Sequence, residues 1–187
     1  MEKFHTVDIK GYKEDLPVIP LPSGISIAFF NLHGNTRLTE HCGKELAKLA
    51  SGCDVLITAE SKGLQLCHVV ARELGQEYYA VARKSKKLYM QDGYEVEIKS
   101  SITTGQVQKM YISRHDAELL KGKKVGIIDD VVSTGNSLVG LEEIVKICGG
   151  IIHKKAFVLA EGDAAACTDN SKLCSAVQPR EVIKETP

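Results

Sequence analysis

The strongest constraint on the fold is the order in which short apolar runs and helical patterns alternate. Residues 53–59, 78–82 and 124–128 are apolar runs of strand length. After the first, Leu64, Cys67, Val70, Ala71 and Leu74 recur at helical spacing, and Gly75 supplies the stop. After the third, Leu138, Leu141, Ile144 and Val145 mark a helix that ends at Gly149 and Gly150. Residues 151–159 read as a further strand, and Leu38, Cys42, Leu46, Leu49 and Ala50 mark an earlier amphipathic helix starting near Asn35 and Thr36. Strand–helix–strand units in this order predict an α/β fold: an open, mostly parallel sheet with flanking helices.

One segment breaks the pattern. Residues 94–98 and 106–112 alternate polar and apolar side chains, with Thr103, Thr104 and Gly105 between them. That predicts an antiparallel hairpin inserted within residues 84–112, placed as a lid over the carboxyl ends of the parallel strands. Residues 168–187 are polar and are expected to form a loosely ordered tail on a single domain spanning 1–187.

The 24 Lys and Arg balance 24 Asp and Glu, which argues against nucleic acid held through a uniform basic face. Aromatics are 5% with no Trp, too few for a stacking platform. No window is apolar enough to span a membrane, and Met1 to His5 lead into polar sequence without a signal-peptide core, so a cytoplasmic protein is expected. Six cysteines stand far apart without a C-x-x-C pair, and six histidines lack ligand spacing, so no resident metal site or disulfide framework is expected.

Chemistry concentrates in residues 125–137. An apolar strand ends in Asp129 and Asp130, then Ser133, Thr134, Gly135, Asn136 and Ser137 run into a helix. Each half alone is ordinary: a solvated strand end, or a turn with a helix cap. Together they place carboxylates beside hydroxyls and amides at a helix N-terminus, which suits a ligand carrying both phosphate and hydroxyls. Neither a Walker A pattern nor a G-x-G-x-x-G after a strand competes.

These residues resemble the phosphoribosyl diphosphate signature of type I phosphoribosyltransferases. Ala59-Glu60-Ser61-Lys62-Gly63 is similar to that family's pyrophosphate loop, and Arg83-Lys84-Ser85-Lys86-Lys87-Leu88 to a basic segment of its purine branches. The resemblance covers roughly residues 25–163. It implies that Asp129 and Asp130 hold the ribose hydroxyls and that Ser133, Thr134, Gly135, Asn136 and Ser137 cradle the 5-phosphate. It further implies that Ser61, Lys62 and Gly63 contact diphosphate, and that Arg83 and Lys87 reach it too, in some members from the partner of a homodimer. Magnesium would arrive with phosphoribosyl diphosphate rather than in a protein cage. Diphosphate then leaves C1 of the ribose and a purine nitrogen attacks the opposite face.

The resemblance also implies a small N-terminal hood over the base, with Phe29, Phe30 and Asn31 as its candidates; two Phe in an apolar run are as readily core. Glu161 and Asp163 could face the base as well. Adenine is the first expectation, from the overall layout and the basic segment. Xanthine or hypoxanthine follows closely, because Thr103 stands where adenine enzymes carry a lid glutamate, and threonine is a poor general base. The rival of another class is a non-catalytic phosphoribosyl diphosphate sensor. Such regulators add an N-terminal DNA-binding domain; the stretch before residue 25 is short and the chain is not basic, so an enzyme is expected ahead of a regulator.

Overall fold

The computed structural model describes residues 3–22, 24, 26–98, 108–133, 135–160 and 171–175. Its centre is a five-stranded, all-parallel sheet in the order β10–β9–β8–β4–β5. The strands are β4 (Val55–Ala59), β5 (Ala80–Ala82), β8 (Lys124–Val132), β9 (Ile151–Ala160) and β10 (Ser171–Ser175). Every residue of β4 is buried, as expected of a strand covered on both faces.

Two helical layers cover the sheet. On one face α1 (Thr36–Leu49) and α2 (Gly63–Glu73) bring Leu38, Cys42, Leu46, Leu66, Cys67 and Val70 onto Leu56, Ile128, Ala156 and Val158. Asn35 starts α1 by accepting the Leu38 N–H at 3.1 Å. The two helices approach so closely that a Cβ on Gly43 would overlap the Val69 side chain. On the other face α4 (Asn136–Ile147) and α3 (Arg114–Leu120) set Leu141, Ile144, Val145, Ala117 and Leu120 against Val55, Ile57, Val125 and Ile127.

The inserted hairpin is present, as β6 (Tyr94–Ile98) paired antiparallel with β7 (Gln108–Ile112). Its inward residues Ile98 and Met110 sit directly over Gly140 of α4, where a Cβ would stand 2.5 Å from Ile98 Cδ1 and 2.7 Å from Met110 Sδ. The segment 99–107, including Thr103, lies outside the described residues.

Besides α3, which the sequence reading did not include, three features depart from it. The polar-looking start folds as an antiparallel sheet of β1 (Phe4–Ile9), β2 (Tyr12–Pro20) and β3 (Ser26–Ala28). Its inward residues Val7, Ile9 and Leu16 join the α1 core, and His41 Nε2 donates to the Ile9 carbonyl at 2.7 Å. This sheet is built from the segment expected to supply the N-terminal hood. The strand expected over 78–82 begins only at Ala80, because Tyr78 is exposed beyond the sheet edge. Within the tail, β10 pairs in parallel with β9, so backbone bonding orders a segment whose polar side chains gave no signal. No helix among the described residues is long and apolar enough to cross a membrane.

Candidate active site

Neighbouring strands β4 and β8, in the register Ile57↔Ile127, deliver two loops side by side at their carboxyl ends. From β8 come Asp129 and Asp130. Asp130 is 5% exposed, its N–H donates to Asp129 Oδ1 at 2.9 Å, and its Oδ2 has no partner among the described residues. Burial, and then the adjacent Asp130 carboxylate, push Asp129 up to about 7, while Lys84 pulls the other way. A buried carboxylate oxygen without a donor costs free energy unless a ligand supplies one.

Beyond the pair, Gly135 caps α4 in the left-handed conformation (φ 77°), which glycine adopts without a Cβ penalty. Among the described residues no side chain caps this helix end, leaving its first N–H groups for an anion. Asp129, Ser133, Gly135, Asn136 and Ser137 line a hollow of about 50 Å³ there. Thr134 lies outside the described residues.

From β4 comes the loop Glu60–Gly63, with a cis Glu60–Ser61 peptide bond. Gly63 opens α2 against the carboxylates: a Cβ there would overlap Thr58 Oγ1 and stand 3.0 Å from Asp129 Oδ1. Only a residue without a side chain lets this helix start so close to Asp129. Lys62 Nζ lies 5.0 Å from the centre of the Phe29 ring.

The other sequence candidates divide. Phe29 is partly exposed beside Lys62, whereas Phe30 is 4% exposed and packs into the core with Leu32 and Leu38. Asn31 is exposed, its side-chain oxygen accepting the His33 N–H at 3.1 Å. Arg83 is held by Glu60, Nη1 donating to Oε2 at 2.8 Å, with its guanidinium 5.9 Å from the Tyr89 ring centre. Lys87 is exposed on the loop that follows. Glu161 and Asp163 lie outside the described residues.

Two residues were given no role of their own in the sequence reading, Lys84 being named only within the basic segment and Thr58 only within the apolar run. Lys84 acts electrostatically on Asp129 and lines, with Ser137, Lys109 and Met110, a hollow of about 460 Å³ under the hairpin. Thr58 is fully buried, with its hydroxyl unpartnered among the described residues. A polar residue within the apolar run of β4 was the available signal for Thr58. For Lys84 it was the change of side along an extended chain, which sets Lys84 opposite Arg83. On the far side of Ser61 a hollow of about 630 Å³ lies between the starts of α1 and α2, lined in part by His33, Asn35, Gln65, His68 and Tyr79.

Among the described residues no group of three or more His, Cys, Asp or Glu could hold a metal. Asp129 and Asp130 are hard oxygen donors, too few for a cage. They fit an ion whose remaining ligands come from a substrate.

Over most of the chain the fold resembles that of solved adenine phosphoribosyltransferases. The enzyme of Thermoanaerobacter pseudethanolicus superposes with a TM-score of 0.70 over 86% of this chain and 95% of its own, at 20% identity. The Giardia lamblia APRTase complexed with 9-deazaadenine gives 0.69 over 87% and 94%, at 18% identity. By sequence, xanthine phosphoribosyltransferases of Bacillus cereus and Bacillus anthracis are each 32% identical over 138 residues, covering 70% of this chain and 68% of theirs. Residues 32–176 match the family model for the phosphoribosyl transferase domain, a span containing both loops of the site. With that match over most of its length, the chain belongs to the phosphoribosyltransferase family.

Proposed function

We propose that the protein transfers the 5-phosphoribosyl group from phosphoribosyl diphosphate to a purine base, with xanthine or another 6-oxopurine ahead of adenine. The observation that carries the reaction is the convergence of three unlike groups on adjacent strand ends: a carboxylate pair, an uncapped helix N-terminus and a glycine-opened loop. Each suits a different part of one substrate. The N–H groups at Asn136 and Ser137, with the hydroxyls of Ser133, Thr134 and Ser137, take the 5-phosphate. Asp129 and Asp130 accept hydrogen bonds from the ribose hydroxyls, which satisfies the orphaned Asp130 Oδ2. Backbone groups of Ser61, Lys62 and Gly63 receive the diphosphate, with Lys62 and Lys84 supplying positive charge. Asp129 and Asp130 would help substrate oxygens to hold Mg²⁺, which would supply charge neutralisation at the leaving group.

The chain's own contribution is then positioning and electrostatics. Holding phosphate and hydroxyls fixes C1 between the leaving diphosphate and a base near Phe29. The negative charge of the ionised carboxylates favours the positive charge that develops on the sugar ring. The hairpin β6–β7, seated on α4, is placed to exclude water. We further propose a homodimer in which Lys87, on a loop carrying the exposed Leu88 and Tyr89, serves the partner's diphosphate.

The oxopurine preference is supported by the names of the 32%-identical relatives and by Thr103 at the lid position. The adenine reading is favoured by the basic segment Arg83 to Leu88. The deciding experiment incubates the protein with phosphoribosyl diphosphate, Mg²⁺ and xanthine, hypoxanthine or adenine in turn, measuring nucleotide and diphosphate. Xanthine monophosphate as main product is expected. Faster turnover with adenine would reverse the base assignment, and tight ligand binding with no product from any base would leave the sensor reading.

A further inference from the structure

Glu60 is a carboxylate at the start of the loop assigned to a polyanion, where its own charge works against the ligand. Both of its oxygens are engaged. Oε2 accepts from Arg83 Nη1 at 2.8 Å, and Oε1 accepts from the backbone N–H of Lys84 at 3.0 Å. Its backbone N–H donates to the Ala82 carbonyl at 2.9 Å. One residue thus holds three consecutive positions at the point where the chain leaves β5. Arg83 in turn exchanges two 2.8 Å backbone hydrogen bonds with Tyr111 of β7. The loop before α2, the segment after β5 and the root of the hairpin are therefore joined through Glu60.

A partly exposed ion pair contributes little to stability, so the pairing with Arg83 does not by itself account for a carboxylate here. The second contact points to another role. Fixing the Lys84 N–H sets the direction in which its side chain leaves the backbone, toward Asp129 and the Ser137 hollow. Arg83, spent on Glu60 and stacked near Tyr89, is not the cation offered to that hollow.

We propose that Glu60 is a positioning residue for diphosphate binding: it anchors the segment after β5 so that Lys84, rather than Arg83, faces the leaving group. This rests on the phosphoribosyl diphosphate reading. The sign of the effect separates positioning from plain electrostatics. Removing a negative charge near an anion should tighten binding if Glu60 only contributes its charge. Removing an anchor should weaken it.

The experiment titrates Mg²⁺-diphosphate calorimetrically into wild type, Glu60→Ala, Glu60→Gln and Lys84→Met, and measures KM and kcat with phosphoribosyl diphosphate. Glu60→Ala is expected to raise Kd and KM about 10-fold with kcat within about threefold, as for a lost anchoring contact to a charged group. Glu60→Gln, which keeps an acceptor for the Lys84 N–H, should restore most of the affinity. Lys84→Met should cost about as much as Glu60→Ala, and the double variant little more than either alone. Equal or tighter binding in Glu60→Ala, a Gln variant as poor as the Ala variant, or additive losses would each overturn the proposal. Because Gln and Lys84→Met preserve side-chain volume, their comparison decides the matter even where the Ala variant folds poorly. Wild type that fails to bind diphosphate would overturn the substrate reading itself, and this inference with it.

Discussion

Replacing Asp129 by Asn should make the ligand-free protein more stable at alkaline pH while disabling it. Asp129 is pushed up from its ordinary 3.8 to about 7, by burial first and by Asp130 second. The folded state therefore holds a proton on this carboxyl that the unfolded chain has already released. Between about pH 4 and pH 7 the native state binds more protons, so wild-type stability falls as pH rises through that window and levels off above it. A difference of about three units at about 1.4 kcal/mol each sets a ceiling of roughly 4 kcal/mol. Relaxation around the charge lowers this to about 2–4 kcal/mol. Asparagine keeps an oxygen for the Asp130 N–H and carries no charge, so the variant lacks this slope. The chain has no Trp, so urea unfolding is best followed by circular dichroism, at pH 4.5, 6 and 8. The gap should be no more than about 1 kcal/mol at pH 4.5 and reach its full size by pH 8, with the variant the more stable. The same variant paired with Asp130→Asn should lose at least ~100-fold in kcat/KM, about 2.7 kcal/mol of transition-state stabilisation. A gap that is absent at pH 8, or constant across the range, would refute the account of a strained carboxylate pair.

Three other outcomes are expected. Gly63→Ala should lower diphosphate affinity by at least ~10-fold and cost about 1–3 kcal/mol in denaturation, since its methyl group meets the buried Thr58 hydroxyl and Asp129. Gly43→Ala, distant from the site, should cost a similar 1–3 kcal/mol by driving α1 from α2, because Val69 is β-branched and cannot turn aside; in the protein that remains folded, KM should be unchanged. Burial pushes Cys42 up to about 12 and raises Cys67 as well, so peptide mapping after maleimide treatment at pH 8 should find both unlabelled in the native protein and labelled in urea.

The parallel core was legible because its elements carry their burial in their own spacing. Leu38, Cys42 and Leu46 mark a helix face by themselves, and the unbroken run of β4 states that both its faces are covered. The elements that were missed depend on partners. In β1 only Val7 and Ile9 are buried, α3 turns just Ala117 and Leu120 inward, and β10 is ordered through β9. Asp129, Asp130 and the turn at Gly135 were legible because their chemistry is local, a strand end running into a helix start. What sequence could not order was choice between neighbours. Phe29 and Phe30 are adjacent and alike, yet the fold buries one and leaves the other beside Lys62. Arg83 and Lys84 are likewise adjacent, and it is Glu60, far away in sequence, that ties up the first and directs the second.

The placement of β10 also bears on aggregation. Ala156-Phe157-Val158-Leu159-Ala160 is the most thoroughly buried part of β9, and β10 lies along that stretch, Ser171 opposite Ala156 and Ser175 opposite Ala160. Without it, five buried apolar residues, the strand formers Phe157 and Val158 among them, would present unpaired amides and carbonyls at an open sheet edge, a template for joining another chain. A short strand with a lysine at its second position covers that edge instead, and charge of this kind discourages further pairing. Shortening the protein after Ala160 would leave Asp129, Asp130 and the α4 cradle in place, yet yield a molecule prone to self-association during folding. A strand that supplies none of the proposed site residues keeps the chain available for their chemistry.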